Sequence, residues 1–177
     1  MLRAIALFAS SRRDGNTGQL MDRIAKELEI EVVDLGNARM SAYDYEHRNR
    51  DDDFEPLMKR VLDFDQIIFA SPVYWYSVSP PMKVFLDRIS DFLDLPDLLD
   101  HGRRLRGKQA YIVCTSVDDE VSKAFHDGLT DTFEYLGMRF GGIVHVDCRD
   151  GYIPDRHDAE AVAFAQRLRN ANEALKS

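Results

Sequence analysis

The run Ser10-Ser11-Arg12-Arg13-Asp14-Gly15-Asn16-Thr17 gathers hydroxyls, an amide, two guanidinium groups and a glycine. These are groups that hold an anion. Before the run, residues 4–9 (Ala-Ile-Ala-Leu-Phe-Ala) are an apolar stretch of strand length. After it, Leu20, Met21, Ile24, Ala25 and Leu28 recur on one helical stripe. The run is therefore a strand-to-helix turn. Such a turn aims backbone N–H groups and the positive end of a helix dipole at one spot, which suits a phosphate. Ser10, Asn16 and Thr17 add side-chain hydrogen bonds and Arg12 adds charge. An ordinary capped helix start accounts for the same residues, with Asn16 as N-cap, Gly15 in the turn and both arginines in solvent. The sequence lacks G-x-x-x-x-G-K-[ST] and G-x-G-x-x-G, which argues against a P-loop NTPase and a dinucleotide Rossmann site.

A second chemistry-bearing stretch is Ser71-Pro72-Val73-Tyr74-Trp75-Tyr76-Ser77-Val78-Ser79-Pro80-Pro81. It offers flat aromatic surface and a proline-restrained backbone. The alternative for Tyr74-Trp75-Tyr76 is a hydrophobic plug or a subunit contact.

The elements that must position these stretches follow from periodicity. Residues 30–35 predict a second strand, and 36–53 a long polar connection with Tyr43, Tyr45, His47 and Arg48. Long loops are often functional, though a solvated excursion explains this one equally. Residues 54–62 predict a short helix, and 65–70 a third strand apolar enough to be buried on both faces. Pro81 suits the first turn of a helix bearing Met82, Phe85, Leu86, Ile89, Phe92 and Leu93 on one stripe. Residues 95–106 read as a loop, and 109–115 as a fourth strand running into the turn Ser116-Val117-Asp118-Asp119. Val121, Phe125, Leu129, Phe133 and Leu136 mark a fourth helix, and residues 140–146 a fifth strand. A last helix starts at Asp155 and carries Ala161, Phe164, Leu168, Ala171 and Leu175 on one stripe.

Strict alternation of strands and helices implies a doubly wound parallel sheet with helices on both faces. Five such units fit the flavodoxin-like order 2-1-3-4-5, with residues 1–177 as one domain. In that order the switch point lies between the first and third strands, and ligands bind outside the strand carboxyl ends there. The two unusual stretches follow those very strands. A phosphate pocket beside an aromatic wall suits a mononucleotide with a planar ring, and FMN is the natural candidate.

Composition agrees. The chain has 177 residues, 45% hydrophobic and 31% charged, as an ordinary globular protein does. A net charge of −8 argues against a nucleic-acid partner. Cys114 and Cys148 form no C-x-x-C, so a disulfide framework, zinc site or iron–sulfur cluster is not expected. Two free thiols, no signal peptide and no membrane-length apolar run point to the cytoplasm.

Residues 9–17, Ala-Ser-Ser-Arg-Arg-Asp-Gly-Asn-Thr, resemble the G-S-x-R-x-x-G-N-T phosphate loop of the NAD(P)H-dependent FMN reductase family. Ser71-Pro72-Val73-Tyr74-Trp75 through Pro81-Met82-Lys83-Val84-Phe85-Leu86-Asp87-Arg88 resembles that family's second motif. The resemblance implies FMN phosphate contacts at Ser10, Arg12, Gly15, Asn16 and Thr17. It implies ring and ribityl contacts at Pro72, Val73, Tyr74 and Trp75, completed by Thr115 and Ser116. It further implies NADPH or NADH as co-substrate, a small acceptor such as a quinone, flavin or azo compound, and a homodimer or homotetramer. Two departures stand out. Ala9 replaces the family's usual Gly, and the 36–53 segment lacks the cysteine cluster of iron–sulfur relatives.

Other residues carry less. His47, His101, His126, His145 and His157 show no metal-ligand spacing, and Cys114 reads as an inert strand thiol. Asp118, Asp119 and Glu120 suit a solvated loop better than a metal or acid–base cluster. Arg103, Arg104 and Arg106 fit either a nicotinamide nucleotide's phosphates or a solvated loop. No catalytic acid, base or nucleophile and no metal ligand is expected. The leading expectation is an FMN-dependent NAD(P)H oxidoreductase. The alternatives are an electron-carrier flavoprotein without NAD(P)H turnover, and an interaction domain with an empty site.

Overall fold

The computed structural model describes residues 2–174. Strands β1 (Ala4–Phe8), β2 (Glu31–Asp34), β3 (Gln66–Ala70), β4 (Gln109–Ser116) and β5 (Arg139–Asp147) form one sheet. Its order is β2-β1-β3-β4-β5 and every pairing is parallel. This is the flavodoxin-like arrangement, and it puts the loops after β1, β3 and β4 at one edge of the sheet. β1 and β3 are buried on both faces, as their unbroken apolar runs require.

The helices are α1 (Asn16–Leu28), α2 (Phe54–Val61), α3 (Pro80–Arg88), α4 (Asp91–Asp94), α5 (Leu99–Gly102), α6 (Lys123–Tyr135) and α7 (Pro154–Ala174). They cover two faces. On one, Leu20, Met21 and Ile24 of α1 and Phe164 and Leu168 of α7 pack against Phe8, Ile68 and Val113. On the other, Phe54, Met58, Phe85 and Phe133 pack against Ile5, Ile67, Phe69 and Ile112. Leu175, assigned to the α7 stripe from the sequence, lies outside the described residues. No helix among them is long and apolar enough to cross a membrane.

Three expectations change. The 95–106 stretch is not a plain loop: it holds α5 and a 3-10 turn, Arg103–Leu105. Leu98 and Leu105 are buried, but one-turn helices are too short to show a period. The expected helix from Met82 to Leu93 breaks between α3 and α4. There Ile89 and Ser90 bond three residues back, to Leu86 and Asp87, and Arg88 and Asp91 turn inward together.

The third change concerns the 36–53 connection, which is no free excursion. Arg88 is fully buried beneath it. Its Nε donates to Asp91 at 2.7 Å, and its Nη1 to Asp52 at 2.6 Å and the Ser41 carbonyl at 3.0 Å. The guanidinium carbon lies 4.7 Å from the centre of the Phe54 ring. Asp91 also meets His47 Nδ1 at 2.9 Å. A buried guanidinium must satisfy its donors, and this one does so by drawing the loop onto α3.

Candidate functional site

β1 ends at Phe8, and the chain turns at Arg12 to start α1 at Asn16. Gly15 is the N-cap, not Asn16, and no side chain caps the helix. The first turn carries no acidic residue either. The leading N–H groups of α1 are thus left for an outside acceptor. Gly18 makes the tight turn possible: a Cβ there would lie 1.9 Å from the Arg13 carbonyl oxygen. The sequence signal for this residue is a second glycine so close to the helix start.

The two arginines of the turn differ. Arg13 is ion-paired with Asp22 and lies over the Phe8 ring at 4.9 Å. Arg12 is exposed and has no carboxylate partner among the described residues. Asn16 accepts the Tyr152 N–H at 3.1 Å through Oδ1, tying α1 to the segment after β5.

The loop after β3 is pinned on both sides. Ser71 and Val73 N–H groups donate to the Val113 and Thr115 carbonyls of β4, at 2.9 and 3.0 Å. Ser79 Oγ donates to the Ala9 carbonyl at 2.9 Å. Between these anchors, Tyr74 and Ser77 exchange backbone hydrogen bonds across a two-residue hairpin. Its tip residues, Trp75 and Tyr76, have φ of 48° and 64°. Both central residues at positive φ mark a I′-type turn, where Asn-Gly is usual and bulky residues are strained. Trp75 is 94% exposed. Burial pushes the Tyr74 phenol pKa up, but the donors of Ser11 and Ser10 and the Arg12 charge pull it further down.

Thr17 and Thr115 hydroxyls meet at 2.7 Å and stitch the first loop to the end of β4. The three loops enclose a crevice of about 390 Å³. All eleven residues singled out from the sequence line it: Ser10, Arg12, Gly15, Asn16, Thr17, Pro72, Val73, Tyr74, Trp75, Thr115 and Ser116. Tyr76, Val117 and Asp118 complete the wall. Asp118, which as part of an acidic turn suits a solvated loop, instead adds a carboxylate at the rim. Asp119 turns away to Arg149, at 2.9 Å.

Arg103, Arg104 and Arg106 are not at this crevice. They precede β4 and so lie at the opposite edge of the sheet, where Arg103 pairs with Asp100 and Arg104 with Asp63. Cys114 is buried in mid-strand, and burial pushes its thiol up to about 12.

Uncapped helix N–H groups and an unpaired guanidinium form an anion cradle. An aromatic hairpin beside it supplies a flat wall, and the volume suits one mononucleotide. These residues fit FMN.

Comparison with known proteins agrees with the geometry. The protein named "Putative NAD(P)H-dependent FMN-containing oxidoreductase YwqN" from Bacillus subtilis is 28% identical over 175 residues, spanning 93% of this chain and 95% of its own. The solved "Trp Repressor Binding Protein" of Bacillus subtilis superposes with a TM-score of 0.69 at 27% identity, over 93% of this chain and 96% of that one. An NADPH-quinone reductase structure from P. pentosaceus shares the fold, with a TM-score of 0.65 at 20% identity over 95% of this chain and 98% of that one. The model of the NADPH-dependent FMN reductase family matches residues 2–146, so the chain belongs to that family.

Proposed function

We propose that this FMN-dependent NAD(P)H oxidoreductase seats its FMN in the crevice at the ends of β1, β3 and β4. The phosphate lies at the N-terminus of α1, with Ser10, Arg12, Gly15, Asn16 and Thr17. The ring and ribityl lie along Pro72, Val73, Tyr74 and Trp75, with Thr115 and Ser116 on the far wall. The observation that carries this reading is the pairing of an uncapped, acid-free helix start with an arginine that lacks a carboxylate partner among the described residues.

Bound FMN supplies hydride transfer between the nicotinamide co-substrate and a small acceptor such as a quinone, a free flavin or an azo compound. The chain's own residues bind and orient. Hydroxyls, backbone N–H groups and Arg12 hold the anion, and the hairpin restricts access to the ring. No side chain in the crevice is an obligatory acid, base or nucleophile. Asp118 is exposed at the rim, and its replacement by Asn costs at most about tenfold, against the 10²–10⁴-fold of a general acid or base.

The same reading includes a homodimer or homotetramer, because the adjacent Trp75 and Tyr76, and separately Tyr45, are exposed aromatic side chains that a second copy would cover. It includes a cytoplasmic setting, supported by the two free buried thiols.

Anaerobic mixing of the FMN-loaded protein with NADPH or NADH tests the assignment. Rapid bleaching of the flavin absorbance is expected. A protein that binds FMN but bleaches with neither nucleotide would be an electron carrier, and one that binds no FMN would overturn the site.

A further inference from the structure

The end of β4 brings together two side chains whose relation the cofactor reading leaves unexplained. Ser116 lines the crevice, and His145 stands behind it on β5. Ser116 Oγ and His145 Nε2 are 2.8 Å apart. The same oxygen accepts the Asp118 N–H at 3.1 Å. Its distance to the Asp118 carbonyl is 3.4 Å, which makes that group much the poorer acceptor.

A serine hydroxyl has one proton and two lone pairs. Here one lone pair is taken by the Asp118 amide. The proton goes to the near acceptor, His145 Nε2, which requires a neutral ring protonated on Nδ1. The other lone pair is left for the crevice. The environment of the ring agrees. Burial holds His145 below the usual histidine range, outweighing the opposing carboxylates of Asp147 on its own strand and Asp118 in the loop. No charged group on α6 or α7, the helices against β5, adds to these among the described residues.

We propose that His145 is a positioning residue that fixes Ser116 as a hydrogen-bond acceptor toward the bound cofactor. This wall of the crevice then selects a ligand donor, which in oxidised FMN is the ring imide N–H or a ribityl hydroxyl. Protonating His145 reverses the polarity. Its Nε2–H then fills the second lone pair, and the serine proton swings toward the crevice. The inference rests on the reading that FMN occupies the crevice.

The test compares the wild type with His145→Gln, whose amide keeps hydrogen-bonding groups at this position but does not titrate. FMN affinity is read by fluorescence quenching from pH 7.5 downward. The FMN phosphate titrates near pH 6, but equally for both proteins, so it cancels in their ratio. The wild type should lose about three- to tenfold more affinity than the variant on acidification, the worth of one neutral hydrogen bond. The acid end of the titration is set where ¹⁵N spectra show His145 to have taken up its second proton, and parallel profiles across that step would overturn the proposal. A second measurement needs no ligand: ¹⁵N spectra of histidine-labelled protein at neutral pH, with the His145 signals among the five histidines identified by their loss in His145→Gln. They should show His145 as the Nδ1–H tautomer, and an Nε2–H tautomer would overturn the proposal directly. Failure to bind FMN at any pH would instead strike the cofactor reading, and the tautomer would still decide the Ser116–His145 part.

Discussion

The loops after β1 and β2 each meet an arginine, and the two arginines are treated in opposite ways. Arg88 sits under the second loop, fully buried, with Asp52 and Asp91 on its donors and Phe54 on its face. Arg12 sits in the first loop, exposed, beside uncapped helix N–H groups of the same electrical sign. A buried guanidinium without carboxylates would cost several kcal/mol, so the fold closes the charge. An exposed one beside a positive helix end gains little until an anion arrives. Closed charge therefore marks scaffold, and open charge marks the place for a ligand.

The strongest test of that contrast is Arg88→Met. It strands two buried carboxylates and should cost about 3–5 kcal/mol in denaturant unfolding. It also carries a pH signature. Burial raises the Asp52 carboxyl, but Arg88 and the Ser41 and Phe54 N–H groups lower it further, so its folded pKa lies below the ordinary value. Its contribution is thus full above the unfolded pKa and fades as pH falls below about 4. In Arg88→Met that acid-side loss should shrink, and an unchanged acid slope would show that the pair is not what holds the loop.

Arg12→Ala should behave in reverse. Loss of one charge-assisted hydrogen bond, about 1.5–3 kcal/mol, weakens FMN binding tenfold or more. The unfolding midpoint without FMN should stay put, since Arg12 packs against no core. Wild-type affinity in this variant would mean that the phosphate lies elsewhere.

The hairpin sharpens the comparison, because it too holds an unfavourable feature in place. Replacing Trp75-Tyr76 by Asn-Gly relieves two left-handed bulky residues, each worth about 1–2 kcal/mol. Thermal melting of the FMN-free protein should rise, while FMN affinity falls with the lost aromatic wall. A lower melting temperature would mean that these side chains serve the fold of the free chain.

The smallest effect concerns Cys114. With its thiol pushed up to about 12 it should not react with iodoacetamide at pH 8 in the native protein, and should react once unfolded. Mass spectrometry of the labelled peptides reads this directly.

Much of the fold and the site was legible in the sequence. Residues 4–9, 65–70 and 109–115 read as strands because each is an apolar run bounded by polar turns. Eleven of the fourteen residues that line the crevice were legible because they lie in the loops that follow strand ends, and the order of a parallel sheet dictates which of those loops share a crevice. The break between α3 and α4, the one-turn helix α5 and the closed 36–53 loop were not legible. Their causes are Arg88 reaching Asp52 across 36 positions and leucines buried by distant partners.

The strands themselves, the strand-to-helix turn before α1 and the aromatic loop were thus determined by residues within a turn or two of one another, through periodicity and backbone restriction. Which arginine is free and which is boxed in was decided only by the folded chain. So was the direction in which the Ser116 hydroxyl points, which depends on a histidine 29 positions away. Ion pairs and hydrogen bonds act over about 3 Å, and at that range only the tertiary structure says which groups are neighbours.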